Sequence, residues 1–295
     1  MRLSNASTPA VLITGASSGI GKACALELDR LGFRVFAGVR SDADAEALKT
    51  KASPRLMPLA IDVTDAASIA AAAGVVAKET GDAGLAGLVN NAGIVVSGPL
   101  EVVPLDALRR QLEVNVVGQV AVTQAMLPLL RKASGRVVHI GSVNGAMSPP
   151  YMGPYSASKY ALEAINDALR LELRTWGIKV SIVEAGPIAT PIWEKSAAAA
   201  DRLAKESPGE ILKLYDADLA AMRKMVERVA RSAKPVECVV RAVVHALTAR
   251  RPKSRYYIGW NPSVLYTVFR LFPDRLRDWL IRREIGLSKI ASGGG

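Results

Sequence analysis

Seven short runs of β-branched and other apolar residues recur along the chain with longer amphipathic stretches between them, and this alternation limits the fold more than any other feature. The runs at 10–14, 34–39, 56–61, 84–90, 136–142, 179–185 and 255–260 read as strands, and the segments between them read as helices. Strand, helix and strand repeated in this way require right-handed crossovers, hence a doubly wound parallel sheet of seven strands in an α/β/α sandwich. Ligands of such sheets bind beyond the carboxyl ends of the strands. The residues that follow each run are therefore the place to look for chemistry.

The 295 residues can bury one large core, and no Pro/Ser-rich spacer, repeat or long charge block divides them. A single domain over 1–260 is expected, with a helical insertion at about 191–234 and an amphipathic basic extension at 261–295. No run reaches the length of a membrane span and no charged-then-apolar leader opens the chain, so a soluble, cytoplasmic protein is the expectation. Cys24 and Cys238 cannot make a disulfide framework, and His139 and His245 have no metal-ligand spacing; all four read as packing residues, with no metal site. The net charge is +11, and between Arg250 and Lys289 ten Lys or Arg stand against three acids, so more than half of the excess is C-terminal. That asymmetry, without a nucleic-acid-binding signature, argues against a nucleic-acid partner.

Four strand ends carry notable residues. After the first strand comes Thr14-Gly15-Ala16-Ser17-Ser18-Gly19-Ile20-Gly21, which leads directly into a helix reaching about Leu31. Glycines there allow a sharp turn and close approach of backbone amides to a pyrophosphate, and the helix N-terminus adds partial positive charge. Asn90-Asn91-Ala92-Gly93 turns tightly after the fourth strand, and Ser142 follows the fifth. Tyr155-Ser156-Ala157-Ser158-Lys159 opens a long helix running to about Thr175, with Tyr155 and Lys159 four apart on one face. A Tyr and a Lys at that spacing are by themselves most often a surface pair.

Together these landmarks resemble the short-chain dehydrogenase/reductase family over roughly residues 8–260, and most closely its retinol and 17β-hydroxysteroid dehydrogenase branch. The resemblance implies a Rossmann-like fold and an NAD(P)-dependent oxidoreductase acting on CH–OH groups. It implies a nucleotide loop at Gly15, Ser17, Ser18, Gly19, Ile20 and Gly21, with Asn91, Ala92 and Gly93 in the structural turn beside it. It also implies Asp62 and Val63 against the adenine, and Gly186, Ile188 and Thr190 at the nicotinamide. The catalytic set it implies is Asn115, Ser142, Tyr155 and Lys159, the last two touching the cofactor as well. Ala185 stands where the family usually has proline, which loosens that turn. In the implied cycle Ser142 hydrogen-bonds the substrate oxygen, Tyr155 gives or takes its proton, and Asn115 holds a water linking Lys159 to solvent. From the residues alone, Asn115 is equally well a helix-interior polar residue with a local hydrogen bond.

Magnitudes support the pairing of Tyr155 with Lys159. Free tyrosine ionises near pH 10, so ionisation near neutrality needs about 4 kcal/mol of preferential phenolate stabilisation. An ammonium roughly 4 Å away in a partly desolvated site supplies about that much. The cofactor follows from the end of the second strand, where Arg40 stands in place of the acid that would bind free ribose hydroxyls. NADP(H) is expected, with Arg40 and Ser17 on the 2′-phosphate. In the alternative, Asp42 or Asp44 serves the ribose of NAD(H).

The segment after Thr190 should decide the substrate, and it holds no obvious cation pair for a carboxylate. Met147, Tyr151, Met152, Ile192 and Trp193, with Leu214 and Met222, are candidate lining residues of an apolar pocket. A lipophilic alcohol or its ketone or aldehyde, steroid- or retinoid-like, is the expected substrate class. Rivals are a reductase of 3-oxoacyl thioesters and a non-catalytic NADP(H)-sensing protein. From Leu265 to Leu287, Val268, Leu271, Phe272, Leu276, Trp279, Leu280 and Ile281 lie among arginines, a pattern fit to rest on an anionic membrane surface or to pack on the protein itself or a partner subunit. A homo-oligomer, dimer or tetramer, is expected.

Overall fold

The structure is a computed structural model, and the residues described are 8–206, 208–259 and 271–287. Seven strands, Ala10–Ile13 (β1), Arg34–Val39 (β2), Leu56–Ala60 (β3), Gly87–Asn90 (β4), Arg136–Ile140 (β5), Lys179–Ala185 (β6) and Arg255–Ile258 (β7), form one sheet in the order β3-β2-β1-β4-β5-β6-β7. Every pairing is parallel. The order reverses at β1, which pairs β2 on one side and β4 on the other, so the chain leaves these neighbouring strands in opposite directions and opens a crevice above their carboxyl ends.

Both faces of the sheet are buried, which is why the strands read as unbroken apolar runs. Gly19–Arg30 (α1), Asp42–Lys49 (α2) and Glu237–Thr248 (α10) enclose one core with Val11, Ile13, Val35, Val89 and Val138. Ala66–Thr80 (α3), Leu105–Leu112 (α4), Gly118–Ala133 (α5) and Gly153–Glu172 (α6) lie on the other side, where Leu12, Phe36, Leu88, Val122 and Met126 form the second core. The α2 and α3 termini are fixed by side chains: Ser41 Oγ accepts from the Asp44 amide and the Asp65 carboxylate from the Ala67 amide. The expected insertion folds as Ile192–Glu206 (α7), Gly209–Lys213 (α8) and Asp216–Arg231 (α9). In the basic extension, Asp274–Ile285 (α11) packs on α9, with Arg228 Nη2 donating to the Glu284 carbonyl at 2.7 Å. Trp260, Leu265, Val268 and the three closing glycines lie outside the described residues. No helix among the described residues is long and apolar enough to cross a membrane.

The strand ends differ from the expected ones for local reasons. β4 starts at Gly87 rather than 84, because Gly84 has φ +66° and the Leu85 amide donates to Leu129 of α5, which makes these residues a turn. β5 stops at Ile140, and Ser142 instead caps the turn Val143–Gly145 by accepting from the Asn144 amide. The α6 helix ends at Glu172 and tightens into the turn Leu173–Trp176, so the reach to about 175 holds only with that turn included.

The sheet centre carries one buried imidazole. His139 on β5 is fully buried, its Nδ1 is 3.0 Å from Gln119 Oε1, and its Nε2 has no partner among the described residues. Burial, with Lys159 nearby, pushes its pKa down to about 3. The neutral ring is thus favoured in the folded state, so its contribution to stability is complete above pH 6.5 and is lost as the pH falls toward 3. Urea-unfolding free energies should fall with decreasing pH by up to about 1.4 kcal/mol per unit from this group. In His139→Gln that part of the slope should vanish.

Candidate active site at the carboxyl ends of the strands

The loop between β1 and α1 is built around close backbone contacts. Gly15 has φ +65°, and a Cβ there would lie 2.9 Å from Ala92 Cα; at Gly21 it would lie 2.3 Å from the Gly15 carbonyl oxygen. Only glycine fits at either position. The Asn91 side chain ties the loop to β4, donating through Nδ2 to the Thr14 and Gly15 carbonyls at 2.9 and 3.0 Å. Thr14 Oγ1 accepts from the Asn91 and Ala92 amides, both at 3.0 Å. Asn91 and Ala92 therefore act as the brace of the loop, and Gly93 passes beneath Asn115.

This loop fits a dinucleotide phosphate. At Ser18 the chain enters α1 with no side-chain cap bond and no acid in the first turn, in contrast to the capped α2 and α3. The first amides of α1 thus remain available to an anion, with the helix dipole behind them. Lys195 of α7 donates to Ser18 Oγ at 3.3 Å, and Thr190 sits against Gly19, bringing the segment after β6 over the loop. Lys195 was not singled out by sequence, since it belongs to a helical stretch rich in lysine; only the chain reversal after β6 places it there.

Arg40 follows β2 directly and is exposed, near enough to Asp62 to help hold that carboxyl below its usual range. The larger causes of the Asp62 shift are its hydrogen bonds from the Thr64 amide and hydroxyl. Val63 is buried next to Gly118, and Ser17 is half-buried in the loop. Asp44 is engaged with Ser41 at the α2 cap, which removes one of the two acids that could serve a free ribose.

Ser142, Tyr155 and Lys159 come together on the other side of the crevice. The Ser142 side chain acts on the Tyr155 phenol, favouring its ionised form. Lys159 Nζ lies 5.7 Å from the Tyr155 ring centroid and donates to the Ile140 carbonyl at 2.8 Å. Burial draws Lys159 down to about 8, against the opposing pull of Glu184 and Glu163. Tyr155 is raised above its ordinary value by burial first, with the Ser142 side chain acting the other way and the Glu184 charge adding to the rise. The expected depression of Tyr155 by an ammonium at about 4 Å is therefore not realised in this geometry. The lysine is turned to the end of β5, desolvation dominates, and Tyr155 is a phenol near neutral pH, suited to donate a proton.

Asn115 sits in a widened turn, Glu113–Val117, between α4 and α5. Such turns loosen the backbone hydrogen-bond ladder and cluster at functional sites. Its Oδ1 accepts from the Ile94 amide at 2.8 Å, and its Nδ2 donates to the Ile94 carbonyl at 3.0 Å and to Ser158 Oγ at 3.1 Å. The local hydrogen bond that was the alternative for Asn115 is replaced by a long-range clamp. With both amide protons engaged, a water at Asn115 would have to donate to Oδ1 or to the backbone carbonyl. Ser158 in turn donates to the Tyr155 carbonyl at 2.6 Å, so Ser158 and Gln111, which binds Ile94 and Val96, are further parts of the frame.

Of the candidate lining residues, Tyr151 borders a cavity of about 320 Å³ that also takes in Leu100, Pro149, Ile281 and Leu287. Tyr151 has φ +67° and its hydroxyl donates to Asp218 at 2.9 Å. Met147 and Met152 are half-buried near that turn, and Trp193 Nε1 donates back to the Ile188 carbonyl at 2.8 Å. Ile192 opens α7 and is partly exposed, and Met222 is packed into the protein. Leu214 departs from expectation: it follows the short α8, is 79% exposed and lines nothing. Gly186 extends the sheet through its amide to Ile258, while Ile188 bridges to Lys234, so the turn after β6 is held despite Ala185 in place of proline.

Residues 9–201 match the family model described as short chain dehydrogenase. The chain is 37% identical over 279 residues to the NADPH-dependent 3-dehydrocapnine reductase of Ornithobacterium rhinotracheale, covering 93% of this chain and 96% of that one. It is 39% identical over 280 residues to 17-beta-hydroxysteroid dehydrogenase type 6 of Bos taurus, with 93% and 88% covered. With retinol dehydrogenase 16 of Mus musculus the identity is 40% over 276 residues, with 92% and 87% covered. Fold, site and relatives agree: the chain belongs to the short chain dehydrogenase family.

Proposed function

We propose that this protein is an NADP(H)-dependent oxidoreductase that interconverts a lipophilic alcohol and its ketone or aldehyde. The observation that carries the reading is the gathering of Ser142, Tyr155 and Lys159 at the crevice, with Lys159 Nζ 5.7 Å from the Tyr155 ring centroid, and the uncapped α1 terminus of the glycine loop. The α1 amides, Ser17, Ser18 and Lys195 would hold the phosphates, and Arg40 the 2′-phosphate. Asp62 and Val63 would border the adenine, and Gly186, Ile188 and Thr190 the nicotinamide. Bound there, the nicotinamide supplies or accepts the hydride. Ser142 orients the substrate oxygen, and the Tyr155 phenol donates its proton to that oxygen during reduction and recovers it in the reverse direction. Asn115 keeps the Ile94 turn and the start of α6 in register, so that Tyr155 faces the crevice. One strand-end position thus selects the cofactor and another moves the proton.

Support for a substrate with a large apolar part comes from Leu100, Pro149, Ile281 and Leu287 in the lining of the cavity beside Tyr151, to which α11 also brings Asp278 and Arg282. Among the relatives, the names of two refer to a hydroxysteroid and to retinol. Purified protein supplied with a steroid or retinoid ketone or aldehyde should oxidise NADPH faster than NADH. Arg40→Asp should invert that preference. Tyr155→Phe should lower kcat by about 10²-fold or more, the size of a lost proton-transfer group. Full activity in Tyr155→Phe would refute the mechanism.

The basic extension fits a peripheral membrane contact. Leu276 and Trp279 of α11 are exposed at 40% and 52%, beside Arg275 and Arg283, while Ile285 on the opposite side is buried. One face thus packs on the protein and the other offers apolar and cationic groups together. In co-sedimentation, the protein should bind anionic vesicles at low salt. Binding should weaken at moderate salt and fall several-fold in Trp279→Glu; equal pelleting with and without vesicles would exclude the contact.

A further inference from the structure

The turn that leads into α6 is strained. Tyr151 has φ +67°, in the left-handed region that a tyrosine adopts only at a cost, and it lies in a loop rather than at a helix end, where Ser134 shows the same sign. Such a conformation persists where its surroundings impose it. Here they do so from two directions. The Tyr151 carbonyl accepts from the Gly98 amide at 2.8 Å, which ties the turn to the loop after β4. Its hydroxyl donates to Asp218 in the first turn of α9 at 2.9 Å, and its ring meets the Tyr215 ring edge-on, with centroids 6.1 Å apart. Tyr215, the residue just before α9, also reaches the loop after β4, donating to Glu101 at 2.6 Å. Burial and the Asp218 bond push the Tyr151 phenol up to about 12, so it remains a donor throughout the neutral range. Two tyrosine–carboxylate bonds thus fasten the insertion to the loops that follow β4 and β5.

We propose that Asp218 is a positioning residue for proton transfer at Tyr155: by holding the Tyr151 hydroxyl it keeps the turn in its left-handed form and so fixes where α6 begins. The proposal rests on the reading of Tyr155 as the proton donor. Tyr155 lies in the first turn of α6, four residues after Tyr151. Between them, the Met152 amide donates to the Pro149 carbonyl at 3.2 Å and the Met152 carbonyl accepts from the Ser156 amide at 2.8 Å, so a rotation at 151 passes directly into that turn. No side-chain bond caps the helix at Met152, and Pro154 has no amide to give. The start of α6 is therefore placed by contacts from outside the helix. Asn115 and Ser158 hold the Tyr155 carbonyl, and the Tyr151–Asp218 bond holds the chain just before it. As an acid in the first turn of α9, Asp218 sits where the helix dipole favours a carboxylate, the stronger acceptor. Proton transfer needs the phenol within hydrogen-bond reach of the substrate oxygen, and a displacement of about 1 Å is enough to slow it.

Asp218→Ala removes the acceptor, and Asp218→Asn keeps an acceptor oxygen in its place. The first test is amide hydrogen exchange, which needs no substrate. The Gly98, Met152 and Ser156 amides should exchange about tenfold faster in Asp218→Ala and at close to the unaltered rate in Asp218→Asn. Their bonds lie at or beside Tyr151 and none involves residue 218, so only transmission through the tyrosine can move them. In NADPH-dependent reduction of a steroid or retinoid carbonyl, kcat should fall about tenfold in Asp218→Ala with KM for NADPH unchanged, and Asp218→Asn should keep most of the rate. Tyr151→Phe should match Asp218→Ala, and the double variant should be no worse than either, since one bond is lost in each case. Unchanged exchange at the three amides in folded Asp218→Ala overturns the proposal, as does faster exchange with kcat intact. Faster exchange in a protein whose unaltered form reduces no carbonyl upholds the fastening of the turn and refutes the enzymatic reading instead. If Asp218→Ala does not fold, Tyr151→Phe, which removes a single oxygen, carries the same exchange test.

Discussion

The knot between the ends of β1 and β4 sets the geometry of the rest of the site. Asn91 donates two hydrogen bonds to Thr14 across the point where the chain leaves the sheet in two directions, Ala92 donates a third to Thr14 Oγ1, and Asn91 reaches on to the Gly15 carbonyl. These bonds satisfy the polar groups that a parallel sheet leaves bare at its carboxyl edge, where an unpartnered amide or carbonyl is costly. From the knot, the chain runs through Gly93 to Ile94, which Asn115 clamps on both its amide and its carbonyl. Asn115 binds Ser158, and Ser158 binds the Tyr155 carbonyl. The glycine loop and Tyr155 are therefore joined, through the Gly93 backbone, by a series of buried and part-buried hydrogen bonds, and their separation is fixed by the frame and not by loop flexibility.

Electrostatics in the crevice follow from burial more than from close ion pairing. Tyr155 is raised and Lys159 lowered chiefly by desolvation, so the resting site holds a phenol and a weakly held ammonium. Behind them, Glu163, Asp167 and Arg255 form an ion cluster, with Arg255 Nη2 2.7 Å from Glu163 and 2.9 Å from Asp167. That cluster joins β7 to α6 and anchors the face of the helix that carries Tyr155 and Lys159.

The extension and the insertion meet beside Tyr151. Arg228 of α9 caps the end of α11 through the Glu284 carbonyl, and Ile281 and Leu287 complete the cavity beside Tyr151. The amphipathic stripe is thereby divided between two uses, since its inner residues close a cavity and its outer ones remain exposed.

Strand count, parallel order and the glycine loop were legible in the sequence, because periodicity and glycine placement are local properties that the backbone itself enforces. The four-residue spacing of Tyr155 and Lys159 was equally plain, being a property of one helix. What tertiary structure decided was everything that depends on two distant segments meeting. It gave Asn115 a clamp where a local bond was as good a reading, set Lys195 over the α1 terminus, put Leu214 in solvent and turned Lys159 toward Ile140 instead of the phenol. Glu184 was invisible for the same reason. A glutamate in an apolar run carries no signal of its own until the sheet buries it against Gly141, where desolvation pushes its carboxyl up to about 10.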